Sequence, residues 1–147
     1  MTASVHGLTG MVIGALLPPY FAVPLAFISH FVYDSLPHYG ISEKSRDKSR
    51  KYKTIVTFDT LFALSFAAIS AYLNKWSMFW VGWVAYSPDF MWVYEYFTNN
   101  KKLYMKPRSA FAKFHKRIQK HERPSGIYIE IAILLMLLPL VIHLLSK

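Results

Sequence analysis

The longest apolar run in the sequence, residues 127–145, is the feature that most restricts the fold. Only Glu130, Pro139 and His143 interrupt it. About 20 predominantly apolar residues form a helix long enough to cross the hydrocarbon core of a bilayer. Hydrophobic residues make up 54% of the 147-residue chain, whereas an average soluble domain contains roughly 45–50% even when glycine is counted. The sequence therefore predicts an integral membrane protein.

Four further apolar segments precede that run, and no useful stretch alternates apolar and polar residues as a β-strand does. We therefore predict a single all-α domain, a helical bundle of about five membrane segments. The predicted segments cover residues 4–17, 20–36, 54–73, 76–97 and 127–145. Residues 110–122 predict a basic amphipathic helix at the membrane surface, with Phe111, Phe114 and Ile118 on its apolar face.

Lysine and arginine are concentrated in residues 42–53 and 99–123, and they give the chain a formal net charge of +9. Short loops rich in Lys and Arg stay on the cytoplasmic side of a membrane. If all five segments cross, both basic regions lie on that side. This predicts a multi-pass protein of the cell (inner) membrane with a cytoplasmic N-terminus. The expected partners are anionic lipid head groups rather than nucleic acid, and the sequence is compatible with an oligomer.

The stretch 28–40 carries His30, Asp34 and His38 at intervals of four. Because residues i and i+4 lie on one face of a helix, the side chains of His30 and Asp34 can bind the same metal ion. Pro37 should end the helix and place His38 on the turn beyond it, where its imidazole is a further candidate metal ligand. The chain has no cysteine, and imidazole with carboxylate suits zinc, or alternatively manganese or iron. The alternative is a hydrogen-bonded pair at the bilayer margin.

His6 opens the first segment, and Gly10 and Gly14 follow it at intervals of four. Small residues at this spacing let a neighbouring helix approach closely in a membrane. We therefore predict that His6 reaches His30 and Asp34 as a further metal ligand. The alternative is an ordinary histidine at a helix end.

The other ionisable residues of the apolar segments fall mostly in the same half of the predicted bundle. Asp89, after a proline, and Asp59 are candidates for a catalytic base or a further ligand. Asp59 and Glu130 are alternatively first-turn carboxylates that interact with a helix dipole. The second basic region supplies the candidate substrate-binding residues, unless its two histidines are simply solvated. These candidates are His115, Arg117, His121 and Arg123.

Two motifs resemble those of the bacterial membrane-bound metal-dependent hydrolase family, which is distantly similar to zinc-dependent phospholipase C. They are Ser-Val-His-Gly-Leu-Thr-Gly near the N-terminus and the later Phe-Ile-Ser-His-Phe-Val-Tyr-Asp-Ser-Leu-Pro-His. The chain lacks the Pro-Asp-x-Asp-His and His-Arg-Gly-x-Thr-His motifs. The resemblance implies a helical fold with His6, His30 and Asp34 as metal ligands and Asp89 as a further candidate.

From these observations we expect a metal-dependent hydrolase that acts on a phosphoester, with lipid-linked phosphoesters as candidates, at the cytoplasmic face. A bound metal would polarise the phosphoryl oxygen and activate a water. The alternative is a non-enzymatic small transporter, or a membrane protein that binds lipids or a partner, with the His/Asp cluster as a proton or ion relay. Bound metal together with phosphoester turnover distinguishes the two.

Overall fold

The computed structural model describes residues 1–46, 48–98 and 109–147. These residues are mostly helical, which confirms the predicted all-α class. Two short strands, β1 (His38–Tyr39) and β2 (Glu122–Arg123), pair in parallel. The helices are α1 (Ala3–Leu16), α2 (Pro19–Ser35), α3 (Glu43–Arg46), α4 (Arg50–Tyr72), α5 (Trp76–Tyr86), α6 (Phe90–Thr98), α7 (Ala110–Ile118) and α8 (Ile127–Leu145).

Two of the predicted membrane segments differ from the observed helices by more than one residue. α4 begins at Arg50, inside the first basic region, because the Ser49 hydroxyl caps its first turn and accepts a hydrogen bond from the Tyr52 amide at 3.2 Å. The predicted segment 76–97 is not one helix, since a 3₁₀ turn over Ser87–Asp89 separates α5 from α6. Pro88 has no N–H to donate to the Val84 carbonyl. The Ser87 hydroxyl donates to that carbonyl instead, at 2.8 Å.

Within the described residues, two helical stretches are long and apolar enough to cross a membrane, Arg50–Tyr72 and Pro124–Leu145. The other apolar helices are shorter: α1 has 14 residues, α2 has 17 and α5 has 11. A span of about 20 residues is needed to cross the hydrocarbon core without tilt or thinning. Helix lengths therefore show two candidate spans rather than the five predicted.

α1 lies at the centre of the bundle and contacts α2, α4, α5 and α8. Gly10 and Gly14 face α5: a Cβ at Gly10 would lie 2.6 Å from the Val81 carbonyl oxygen, and one at Gly14 would lie 2.6 Å from that of Ser77. The Ser77 hydroxyl donates to the Gly14 carbonyl at 2.6 Å. The two glycines thus permit a close approach, as their spacing predicts, but the neighbour they admit is α5 rather than α2.

The ionisable side chains meet at one end of this bundle, where α1 and α8 begin and α2 ends. His6 Nε2 lies 3.1 Å from an Asp34 carboxylate oxygen, and the Thr2 amide donates to Glu130 at 3.1 Å. His143 lies near the opposite end of α8. The packing of α1 against its neighbours therefore assembles a polar cluster at one end of a largely apolar bundle.

Candidate metal centre

Four side chains from three elements converge in this polar cluster. His30, Asp34, Asp89 and His115 each provide one ligand atom, and these atoms all lie within 4.8 Å of one another. His30 and Asp34 lie on one face of α2, Asp89 ends the 3₁₀ turn after α5, and His115 belongs to α7. Three of the side chains are fully buried, and that of Asp89 is 19% exposed.

The ligand atoms have the spacing expected around a metal ion. Ligands bound at 2.0–2.1 Å to a tetrahedral zinc are roughly 3.3 Å from one another. The Nε2 atoms of His30 and His115 are 3.1 Å apart, and Asp34 Oδ2 lies 3.3 Å from the first and 2.7 Å from the second. Asp89 Oδ1 is 3.7 Å and 3.8 Å from the same two nitrogens. Three atoms thus form a tight group, with the fourth further away.

The end of α5 orients the His30 ring. Nδ1 of His30 lies 2.8 Å from the Ala85 carbonyl oxygen. The last carbonyls of a helix have no intrahelical partner, so Ala85 is free to accept from Nδ1–H. This bond fixes the tautomer of the neutral ring and leaves the Nε2 lone pair directed at the cluster, an arrangement typical of metal-binding histidines.

The two oxygens of Asp34 have different neighbours. Oδ2 faces the ligand group and accepts from Gln119 Nε2 at 2.9 Å. Oδ1 contacts the amino group of Met1 and lies 3.1 Å from His6 Nε2. The His6 ring also stacks on His30, with centroids 3.8 Å apart and planes at 20°. His6, predicted as a ligand, therefore contacts two members of the group without being one of its four members.

α7 brings His115 into the site through one buried face. Ala112 and His115 are fully buried, and Gln119, one turn further on, reaches Asp34. The Ser109 side chain caps the helix and accepts from the Ala112 amide at 3.0 Å. The alternative of a solvated His115 is wrong, because this face packs against α2. The signal in the sequence was the spacing of Ala112, His115 and Gln119, which places them on one helix face.

His38 is buried but lies apart from the ligand group. Its Nδ1 donates to the Leu36 carbonyl at 2.8 Å, and its Nε2 is 3.8 Å from Glu122 Oε1. The physical reason is that α2 ends at Ser35 and β1 then pairs His38 with Glu122. His38, predicted as a metal ligand, is thus held at the strand pair instead.

Asp59, predicted as a catalytic residue, also lies outside the ligand group. Both of its carboxylate oxygens are 3.3 Å from the Ser4 amide nitrogen, and the Ser4 hydroxyl donates to Oδ1. Because Ser4 belongs to the first turn of α1, Asp59 satisfies a helix N-terminus that would otherwise lack acceptors.

Three of the predicted substrate-binding residues lie at the protein surface. Arg117, His121 and Arg123 are exposed, and Nδ1 of His121 donates to the Ser35 carbonyl at 2.8 Å. None of them lines the cavity that adjoins the ligand group. α7 turns the face carrying Ala112 and His115 inward and the face carrying Arg117 outward, whereas His121 and Arg123 follow the end of α7 at Ile118.

A cavity of about 1210 Å³ adjoins the ligand group. Asp89 and Gln119 belong to its wall, so the cavity reaches both a member of the group and a residue that contacts Asp34. Four basic residues that were not predicted as substrate-binding also line it: Arg46, Lys53, Lys116 and Lys120. Aromatic residues complete much of the wall, including Tyr39, Tyr52, Tyr86, Trp92 and Tyr96.

Comparison with known proteins gives no significant match to a protein-family model, a curated protein or a solved structure. Two imidazoles and two carboxylates can hold a divalent metal ion. The partly exposed Asp89 is the member through which the ion would face the cavity.

Proposed function

We propose that this protein is a membrane-embedded, metal-dependent hydrolase that cleaves phosphoesters. The observation that carries the proposal is the ligand group itself. Three of its four ligand atoms are closely spaced, and the fourth member, Asp89, lines a cavity that also has basic residues in its wall. A catalytic zinc site has three protein ligands and an open fourth position, whereas a structural site is closed. His30, Asp34 and His115 match the first pattern.

Zinc is the favoured ion, with manganese or iron as alternatives, because the ligand set mixes imidazole and carboxylate. A bound ion would lower the pKa of a coordinated water and polarise a phosphoryl oxygen. Asp89 is the candidate base, because its Oδ1 lies 3.7–3.8 Å from the two imidazole nitrogens, outside the tight group, and its partly exposed side chain lines the cavity from which a water would enter.

The cavity supplies a reason to favour an anionic substrate. Lys53, Lys116 and Lys120 line it, and Arg46 lines it while paired with Glu122. Basic side chains around a low-dielectric cleft raise the local concentration of anions. In the proposed reaction Lys53 and Lys120 bind non-bridging phosphoryl oxygens, and Asp89 takes the proton of the attacking water. The water oxygen forms a new bond to phosphorus as the ester P–O bond breaks, and the leaving alcohol takes up a proton.

A membrane location is supported by surface that the protein leaves uncovered. In each of the two candidate spans we consider the most apolar stretch of 18 residues. Only 6% of that stretch in Arg50–Tyr72 and 11% in Pro124–Leu145 is buried. Met136 of α8 is 76% exposed, and Phe58 of α4 is similarly uncovered. A soluble protein would bury such helices in its core. We propose a multi-pass arrangement with the basic regions and the metal centre at the cytoplasmic face, where lipid-linked phosphoesters are accessible.

A second candidate function is a proton or ion relay without hydrolysis. It is favoured by the buried contacts that run from His6 through Asp34 to His115, at 3.1 Å and 2.7 Å. Chains of buried histidine and carboxylate groups carry protons in membrane proteins. This candidate needs no metal and no cavity for a substrate.

The test combines metal analysis with turnover in detergent-purified protein. We expect close to one divalent ion per chain and hydrolysis of p-nitrophenyl phosphate or of a short-chain phospholipid. Asp89→Asn should keep the metal and lower turnover by about 10²–10⁴-fold, whereas His121→Ala, at the surface, should change neither. A protein that excludes zinc, manganese and iron, or that binds metal and hydrolyses no phosphoester, would contradict the proposal.

A further inference from the structure

α7 has an inner side in the metal centre and an outer side that the described protein does not cover. Ala112 and His115 are fully buried on the inner side. Lys113 and Arg117 are exposed on the opposite side. The apolar residues between these sides are partly exposed, Phe111 by 38% and Phe114 by 51%.

The apolar flank of α7 continues onto α2. The Phe31 ring contacts those of Phe111 and Phe114, with centroids 6.0 Å and 5.4 Å apart. Beyond Phe31 the exposed side of α2 presents Ile28 and Val32. The flank of α7 therefore belongs to the same uncovered apolar surface that we assign to the membrane, so α7 lies where that surface ends.

The chemistry of this face selects one class of partner. A helix with an apolar flank beside a row of basic residues lies in the interface of a bilayer, with its apolar side among the acyl chains and its cations at the head groups. Anionic lipids complement Lys113 and Arg117. The continuity with α2 favours lipid over an acidic protein, which would have to contact the basic row and displace lipid from Phe114.

We infer that the outer face of α7 binds an anionic lipid surface and that this contact holds His115 in the metal-ligand group. The outer face consists of Phe111, Lys113, Phe114 and Arg117. α7 has only 9 residues, and isolated helices of that length are marginal in water. Lipid bound on one side therefore stabilises the helix that supplies a ligand on the other. The inference rests on the proposed metal site but not on hydrolysis.

The described contacts of α7 link it to α2, to α6 and to the metal centre. Gln119 donates to Asp34 at 2.9 Å, and the Ser109 amide lies 3.5 Å from Glu95 Oε1, at the limit of a hydrogen bond. The His115 ring packs against those of Phe31 and Trp92, with centroids 5.5 Å and 5.6 Å apart. Phe31 also contacts Phe111 and Phe114. Phe31 thus joins the His115 ring to the lipid-facing flank, so lipid and metal act on the same small helix.

The experiment measures zinc affinity of the full chain in nanodiscs of phosphatidylcholine alone and of phosphatidylcholine mixed with phosphatidylglycerol. We expect the anionic lipid to tighten zinc binding by about fivefold or more, the usual lower limit of coupling between two sites. Lys113→Gln/Arg117→Gln should abolish the difference. The matched control Arg50→Gln/Lys51→Gln removes the same charge from exposed residues of α4 and should keep it.

Equal zinc affinity in both lipids, or loss of the difference in both double variants, would overturn the inference and leave the metal site intact. If no zinc binds in either lipid, the proposed function fails, and the lipid contact is then judged by a fluorophore attached at Phe114→Cys in this cysteine-free chain. Its emission should shift to the blue in anionic discs and not in the Lys113→Gln/Arg117→Gln background. An unchanged emission would overturn the lipid contact as well.

Discussion

The Nε2 atoms of His30 and His115 face each other across 3.1 Å in the buried interior of the protein. Nδ1 of His30 is bonded to the Ala85 carbonyl, so the neutral ring presents only a lone pair to His115. Asp34 Oδ2 lies within 3.3 Å of both nitrogens. A divalent cation bound between the rings would satisfy both imidazoles and the carboxylate together.

His115→Ala should weaken metal binding by more than about 100-fold, because loss of a ligand costs more than loss of a supporting contact. His121→Ala is the control, since His121 lies close by in the sequence but is exposed. Metal content per chain, measured by elemental analysis of the purified protein, distinguishes the two. Equal metal content in wild type and His115→Ala would remove His115 from the ligand set.

His6→Phe tests whether His6 is a ligand or a support. The phenyl ring can keep the stacking on His30, but it loses the contact with Asp34 Oδ1. A supporting contact of this kind is worth about 10–100-fold in metal affinity, and we expect a loss in that range by chelator competition. A loss as large as that of His115→Ala would instead show that His6 binds the ion directly.

Gly10→Ala should destabilise the bundle by about 1–3 kcal/mol, the usual cost of overpacking. The new methyl group would lie 2.6 Å from the Val81 carbonyl oxygen and 2.8 Å from the Gly82 Cα, both of them backbone atoms. Gly7→Ala is the matched control on the same helix, because its Cβ would have only Ala63 within reach, at 4.0 Å. It should be neutral or stabilising by up to about 1 kcal/mol. Thermal unfolding in detergent measures both.

Glu122 should give the protein a stability that is lost in acid. Burial raises the pKa of its carboxyl, but His38 and Arg46 outweigh burial and hold that pKa below the ordinary value of 4.5. A carboxyl group whose pKa is lower in the folded than in the unfolded state stabilises the fold at pH values above its unfolded-state pKa. This stabilisation is lost as the pH falls through its folded-state pKa. Wild type should therefore exceed Glu122→Gln by about 1.5–3 kcal/mol at neutral pH.

That difference should shrink as the pH falls from 4.5 towards the lowered pKa of Glu122. Unfolding of both proteins at matched pH values measures it, and titrations common to the two cancel. A difference that stays constant from neutral pH into this acidic range would show that the Glu122 charge does not contribute.

The proposed topology can be tested with single cysteines, because the chain has none of its own. Ser45→Cys, in the first basic region, should be protected from an impermeant thiol reagent added to intact cells, since Lys/Arg-rich loops stay in the cytoplasm. Lys75→Cys and Ser146→Cys should react. Labelling of Ser45→Cys alone would reverse the orientation.

The sequence predicted those parts of the site that depend on local spacing. His30 and Asp34 share a face because they are four residues apart on one helix. Asp89 was predicted as a candidate base or ligand because it follows Pro88. The same proline produces the 3₁₀ turn that ends α5 near Ala85 and places Asp89 at the cavity. These features follow from helix geometry and from the missing N–H of proline.

The remaining parts depend on contacts between distant segments. His115 lies in a basic region, so its local composition favours solvent, and the packing of α7 against Phe31 of α2 and Trp92 of α6 buries it. The strand pair that holds His38 comprises two residues on each side, too few for an alternating pattern to appear. The basic residues of the cavity wall come from α3, α4 and the region of α7, and no single stretch of sequence indicates that they share a wall.

The β1–β2 pair determines which changes of chain length the metal centre can tolerate. β1 follows Asp34 closely, β2 follows His115 closely, and Gly126 packs so near the His38 backbone that a side chain there would overlap it. The pair therefore holds the ends of both ligand-bearing segments in a fixed register. An insertion between Asp34 and His38, or between His115 and Glu122, would move one ligand relative to the other. Relatives that share the site should vary in length elsewhere and keep these two intervals constant.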